Sequence, residues 1–153
     1  MAAEEVTIDE CNATRISVFL DANVIIKAIR DSTRGGPTFA LLNAIDPPLR
    51  LFASTTLFEV AFSRRGAAEQ TLRDDQTWLR AHATGVRFTE RVGARFDRLV
   101  GPASKVVRAR ANLGDALLAA FAPMDSGRLF AIATNDVDFR DLPVRIVREF
   151  LPP

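Results

Sequence analysis

The stretch ISVFLDANVIIKAI, residues 16–29, carries the clearest structural signal in this chain. Its first five residues are mostly apolar and β-branched, and the run stops at Asp21, which is typical of a short buried strand. Apolar residues then recur at helical spacing from Val24 to Ile29. The sequence therefore predicts a strand, a sharp junction at Asp21, and a helix.

The same alternation continues along the chain. Further strands are predicted at residues 51–54, 85–88, 129–133 and 144–147, and helices at residues 39–45, around Glu59, within the helix-rich stretch 67–110, and at 116–122. Strands that alternate with helices favour an α/β fold, a three-layer α/β/α sandwich around a central, mainly parallel sheet. We expect a single domain over residues 15–150, preceded by an acidic arm at residues 1–14 that is mobile or docked on a partner.

Composition restricts the class of protein. The 153 residues are 48% hydrophobic and 25% charged, with a formal net charge of +1, as in an ordinary globular domain. No global electrostatic field therefore points to nucleic acid, although nearly all of the basic residues are arginine. Cys11 is the only cysteine, and no apolar stretch approaches the roughly 18 residues of a membrane span. We expect a cytoplasmic protein that is not embedded in a membrane.

Four acidic residues follow predicted strands or begin helices: Asp21, Glu59, Asp115 and Asp136. In a parallel sheet the carboxyl ends of the strands share one edge, where open α/β sheets bind their ligands. Crowded carboxylates repel one another unless a divalent cation neutralises them. The spacing therefore predicts a metal site, and with it phosphate chemistry.

Each acid also has a purely structural interpretation. Asp21 suits a helix N-cap, and Asp136 and Asp138 suit a turn. Glu59 and Asp115 each stand three residues after a residue that could cap a helix, Thr56 and Asn112, which is capping-box spacing. The four together favour a common site, because Glu59 and Asp115 lie beside apolar residues that we expect to be buried, and a buried carboxylate needs a partner.

The motifs resemble those of the PIN-domain ribonucleases, in particular the VapC-like toxins of toxin–antitoxin systems. The resemblance is carried by VFLDANVII (residues 18–26), the helical Glu59, GDALLAA (114–120) and ATNDVDF (133–139), in the order of the family. It spans residues 16 to 148. The VapC-like toxins begin almost directly at their first strand, whereas this chain has additional residues ahead of Ile16.

The resemblance implies that Asp21, Glu59, Asp115 and Asp136 bind Mg²⁺ or Mn²⁺ and are the catalytic residues. The metal would activate a water for in-line attack on an RNA phosphodiester, leaving 5′-phosphate and 3′-hydroxyl ends. Asn23, Thr134 and Asp138 would orient the carboxylates or the water. The resemblance also implies a small antitoxin partner and a homodimer. Five basic residues are candidates for contacts with RNA phosphates: Lys27, Arg30, Arg34, Arg64 and Arg65.

Two other classes of function remain open at this level. A PIN-like fold without activity could serve as a binding or scaffold module, although all four acids are present. Another metal-dependent phosphoryl-transfer domain, such as a receiver domain, would require an Asp-x-Asp pair or a lysine late in the chain. Here the first motif is Asp21-Ala22-Asn23 and no lysine follows Lys105, which disfavours that class.

Overall fold

Parallel strands alternate with helices in the computed structural model, which describes residues 3–101 and 113–153. The strands are β1 (Glu4–Val6), β2 (Ser17–Leu20), β3 (Arg50–Ala53), β4 (Thr84–Val86), β5 (Phe130–Ala133) and β6 (Arg145–Val147). They form one six-stranded sheet in the order β1-β6-β5-β2-β3-β4, and every neighbouring pair is parallel. The predicted α/β fold with a parallel central sheet is confirmed.

Seven α-helices lie within the described residues. They are α1 (Ile8–Thr14), α2 (Ala22–Asp31), α3 (Pro37–Ala44), α4 (Thr56–Ser63), α5 (Glu69–His82), α6 (Glu90–Val100) and α7 (Leu113–Phe121). A 3₁₀ helix, Val137–Asp141, follows β5. The predicted helical stretch to Arg110 and the proposed cap Asn112 fall partly or wholly in residues 102–112, outside the described residues. None of the described helices is long and apolar enough to cross a membrane.

The sheet is covered on both faces, and β2 shows why. Successive side chains of a strand point to opposite faces, so Val18 and Leu20 belong to one apolar cluster and Phe19 to the other. The first cluster holds side chains from α1 to α5, and the second holds side chains from α6, α7 and the 3₁₀ helix. The sheet and the helices on its two faces form three layers, with one apolar cluster on each face of the sheet. Because β2 is buried on both faces, its sequence is mainly apolar.

The order of the strands reverses beside β2. From β2 the chain proceeds to β3 and β4 on one side, and it then returns to place β5 on the other side. At such a switch point the connections leave two neighbouring strands in opposite directions and open a crevice at their carboxyl ends. The residues that follow Leu20 and Ala133 line this crevice, since the register pairs those two residues directly.

The N-terminal segment belongs to the domain, so the prediction of a mobile or partner-docked arm is wrong. β1 pairs with β6 from Glu4 to Val6 and extends the sheet by one strand. Ile8 and Cys11 in α1 are buried in the first apolar cluster. The backbone N–H of Ile8 donates to both carboxylate oxygens of Glu149, at 3.2 and 3.0 Å. The acidic residues of the segment are exposed, whereas Val6, Ile8 and Cys11 are buried.

Truncation of Ile8 tests this correction. Its side chain is 4% exposed, so Ile8→Ala should lower the free energy of unfolding by about 2–4 kcal/mol. A mobile arm would show no change. Equilibrium unfolding in denaturant measures the difference, and Glu10→Ala, at an exposed position in the same helix, is the control with an expected change within about 0.5 kcal/mol. Equal effects of the two variants would contradict the observed packing.

Candidate active site

Asp21 lies at the end of β2 and caps α2. Its backbone N–H donates to the carbonyl oxygen of Ala133 at 3.0 Å, which continues the pairing of β2 with β5. Its Oδ1 accepts from the N–H of Ala22 at 2.8 Å, and the residue is only 8% exposed. The N-cap interpretation is therefore correct for one carboxylate oxygen, and it does not exclude a role in the crevice for the residue as a whole.

The Thr134 hydroxyl connects the two loops of the switch point. Thr134 follows β5 and is fully buried. Its Oγ1 donates to Oδ2 of Asp21 at 2.7 Å and accepts from the backbone N–H of Asp136 at 3.0 Å. The hydroxyl thus fixes both the orientation of the Asp21 carboxylate and the path of the chain into Asp136. This is the type of positioning role predicted for Thr134.

Asp136 begins the 3₁₀ helix and is half-buried. Its Oδ1 accepts from the backbone N–H of Asp138 at 2.9 Å, so the turn interpretation is also correct here. Asp138 contributes its main chain to this turn and is itself half-buried. Of the two acids after β5, Asp136 is the one linked to Asp21 through Thr134, as expected.

Glu59 projects from α4, the helix that follows β3. Burial, and to a smaller extent the charges of Asp21 and Asp115, raise the pKa of its carboxyl to about 7. α4 begins at Thr56, and no side-chain hydrogen bond caps it. The capping-box interpretation of Thr56 and Glu59 is therefore wrong, and the position of Glu59 is explained by its neighbours in the crevice.

The remaining acid, Asp115, lies in the first turn of α7 and is 8% exposed. Its charge acts on Glu59, while that of Asp136 acts on Asp21. Burial is the largest cause that raises the pKa of Asp21, and the hydrogen bonds from Thr134 and Ala22 oppose it. The structure thus brings all four predicted acids into one electrostatically coupled group.

The donor chemistry of this group fits a hard divalent cation. Carboxylate oxygens are the ligands that Mg²⁺ and Mn²⁺ prefer, and a cation would offset the burial and the mutual repulsion that raise the pKa of Glu59 and Asp21. The carboxylates are not drawn together into a finished coordination sphere: among the described residues, no three Asp, Glu, His or Cys side chains form a metal-holding group.

The other residues that the sequence predicts near the acids differ in their contacts with the rest of the protein. Asn23 is exposed in the first turn of α2 and makes no side-chain hydrogen bond with any described residue. Lys27, Arg30 and Arg34 are also exposed, and none of them forms an ion pair within residues 3–101 and 113–153. They remain candidates for contacts with phosphate.

Arg64 pairs with a carboxylate of the protein itself, which disfavours its predicted contact with RNA. Its Nε and Nη2 donate to the two oxygens of Asp75 at 3.0 and 3.3 Å. Asp75 lies in α5 and is 5% exposed. A guanidinium that binds a buried carboxylate through two hydrogen bonds cannot leave it for a phosphate without leaving that charge unpaired. Arg64 therefore joins α4 to α5.

Two phenylalanines beside Glu59 are exposed, contrary to the expectation that its apolar neighbours are buried. Phe58 is 76% and Phe62 is 68% exposed. Val60, by contrast, is buried, and Leu57 packs against the first apolar cluster. The spacing of these residues in the sequence indicates their exposure. Phe58 and Phe62 are four residues apart and share one face of α4, and this face cannot be the buried one that carries Val60.

The raised pKa of Glu59 predicts a pH dependence of stability in the metal-free protein. The folded state holds this proton up to a pH of about 7, whereas the unfolded chain releases it near 4.5. The folded state thus binds more protons in this window, and its stability falls as the pH rises. Glu59→Gln should remove this fall and exceed the wild type by about 1–3 kcal/mol at pH 8.

Denaturant unfolding between pH 4.5 and 8 in the presence of a chelator measures this difference. The two proteins should be nearly equal in stability at the acid end and diverge as the pH rises. Asp21, whose pKa burial also raises, is present in both proteins, so the fall in stability that Glu59→Gln removes is assigned to Glu59 and its interaction with Asp21. Curves that stay parallel over the whole range would contradict the prediction.

No protein-family model matches this chain, and no curated protein matches it as a relative.

Proposed function

We propose that this protein is a metal-dependent endoribonuclease of the PIN type. The observation that carries the proposal is the coupled group of four carboxylates at the switch point of the sheet. Asp21 and Asp136 approach through Thr134, and Glu59 and Asp115 complete the group from α4 and α7. The four carboxylates and the phosphates of a nucleic acid repel one another, so a nuclease with such a site needs a cation between them. This need supports metal-dependent cleavage of a phosphodiester.

Asp21, Glu59, Asp115 and Asp136 would hold Mg²⁺ or Mn²⁺. A bound ion of this kind supplies an activated water and offsets the charge that develops on the phosphoryl oxygens. The chain supplies the alignment: the Thr134 hydroxyl and the Ala22 N–H each hold one oxygen of Asp21, and the turn at Asp138 holds Asp136. Carboxylates oriented before substrate binds need little reorganisation during the reaction.

The biological setting rests on the resemblance of the motifs to VapC-like toxins. We propose that the nuclease acts as the toxin of a toxin–antitoxin pair, that a small antitoxin holds it inactive, and that it forms a homodimer in the cytoplasm. Its substrate would be cellular RNA. Exposed Lys27, Arg30 and Arg34 on α2 and the turn after it would position the RNA backbone.

Cleavage of total cellular RNA by the purified protein tests the activity. We expect cuts with 5′-phosphate ends in Mg²⁺ or Mn²⁺ and none in chelator. A folded protein that binds Mn²⁺ and RNA but does not cut would favour a binding or scaffold module. A folded protein that binds neither would remove the nuclease proposal.

A further inference from the structure

Two aromatic rings on the outward face of α4 and a cation just beyond the end of this helix lie in a row. Phe58, Phe62 and Arg65 follow one another at intervals of four and three residues, which places them on one side of a helical path. The opposite side of α4 is anchored by Val60 and by the pair that Arg64 forms with Asp75. The row is therefore held toward solvent by contacts on the other side of the helix.

The cation and the second ring already interact. The Arg65 guanidinium lies 5.0 Å from the centroid of the Phe62 ring, within the range of a cation–π contact. Arg65 is exposed, and no carboxylate in the described part of the chain pairs with it. Its remaining N–H groups are thus directed at solvent beside an exposed aromatic face.

The row adjoins the candidate active site. Phe58 precedes Glu59 in the sequence, and Phe62 lies three residues after it, one helical turn away and on an adjacent strip of the surface. One turn of an α-helix rises only about 5.4 Å, so Phe62 stays close to Glu59 along the axis of α4. A strand with a phosphate at the carboxylates can therefore lay the next bases along this face.

We propose that Phe58 and Phe62 stack on unpaired bases of the RNA substrate and that Arg65 binds the phosphate between or beyond them. This inference rests on the proposed nuclease function and deepens it, because it names the surface that would hold the bases next to the cleaved phosphate. Base stacking on aromatic rings, combined with an arginine, is how proteins bind single strands without reading a sequence. Arg65, which pairs with no carboxylate in the described part of the chain, supplies the positive charge that a phosphate of such a strand needs.

Binding assays in the Asp21→Asn background test the proposal without cleavage. Fluorescence anisotropy with a labelled single-stranded RNA is compared with its duplex form, and the single strand should bind at least tenfold more tightly. Phe58→Leu with Phe62→Leu keeps the face apolar but removes the rings, and should weaken binding of the single strand by about tenfold or more. Phe58→Trp with Phe62→Trp should restore it.

Phe88→Leu is the matched control, because Phe88 is 49% exposed but lies outside α4, and its binding should equal that of the parent. Unchanged binding by the leucine pair overturns the inference. If the leucine pair instead lowers self-association and leaves RNA binding intact, the face belongs to a second copy and the inference is also overturned. Metal-dependent cleavage by the wild type, assayed in parallel, separates these outcomes from failure of the nuclease itself, in which neither cleavage nor RNA binding is seen.

Discussion

Asp21→Asn should lower the rate of metal-dependent RNA cleavage by about a thousandfold or more, because several kcal/mol of charge stabilisation depend on the ion that this group is proposed to hold. The variant removes one negative charge and retains the shape of the side chain. Its amide oxygen can still accept from the Ala22 N–H, and its amide N–H can donate to the Thr134 oxygen. The N-cap of α2 therefore survives, and the loss of activity reports on the charge.

Stability provides the second readout for this variant. Burial raises the pKa of Asp21, so the ionised carboxylate destabilises the metal-free fold at neutral pH. Asp21→Asn should melt at a temperature equal to or above that of the wild type in chelator. Mn²⁺ should raise the melting temperature of the wild type, because an ion that binds only the folded state stabilises it, and should raise that of the variant much less.

Asp97→Asn is the control for both measurements, since it removes an exposed acid from α6 and leaves the four carboxylates in place. It should cleave RNA and respond to Mn²⁺ like the wild type. A folded Asp21→Asn protein that cleaves RNA at the wild-type rate would remove Asp21 from the active site. Full activity in the corresponding Asp115→Asn variant would do the same for Asp115.

The carboxylate group was predictable from sequence because its signals are local. Asp21 and Asp136 each end an apolar run, and in a parallel sheet all such ends share one edge. The apolar residues that surround Glu59 and Asp115 in the sequence also indicated helices at these positions. Glu59 lies in the helix that follows β3, and Asp115 lies in the helix that precedes β5. What the sequence did not contain is the exchange of hydrogen bonds through Thr134, which depends on the register of β2 against β5.

The failures were non-local or concerned the side chains on one face of a helix. β1 pairs with β6, and the N–H of Ile8 binds Glu149, 141 residues away, so no window of sequence shows that residues 4–14 complete the sheet. The apolar composition of α4 suggested burial on all sides, whereas its packing requires only the side with Val60. Composition indicates how much of a helix is apolar, and only the helical phase and the neighbouring elements decide which part is covered.

Arg64 illustrates the same limit, and its replacement should have a large effect on stability. The side chains of Arg64 and Asp75 are 23% and 6% exposed, so the pair is largely removed from water. Arg64→Met keeps the apolar stem and leaves the Asp75 carboxylate buried without its counter-ion. We expect a loss of about 2–4 kcal/mol in the free energy of unfolding, since removing one partner of a buried ion pair costs more free energy than the intact pair contributes.

A double variant separates the pair from the space it fills. Arg64→Met with Asp75→Leu removes both charges and should recover most of the stability lost in Arg64→Met, because apolar residues often replace a buried pair without loss. Arg65→Met is the neighbouring control and should change stability by less than about 1 kcal/mol, the scale of its contact with Phe62. The effects on RNA binding should be the opposite: Arg65→Met should bind RNA more weakly, and folded Arg64→Met should bind it like the wild type. Weaker RNA binding by folded Arg64→Met would instead return Arg64 to the nucleic-acid surface.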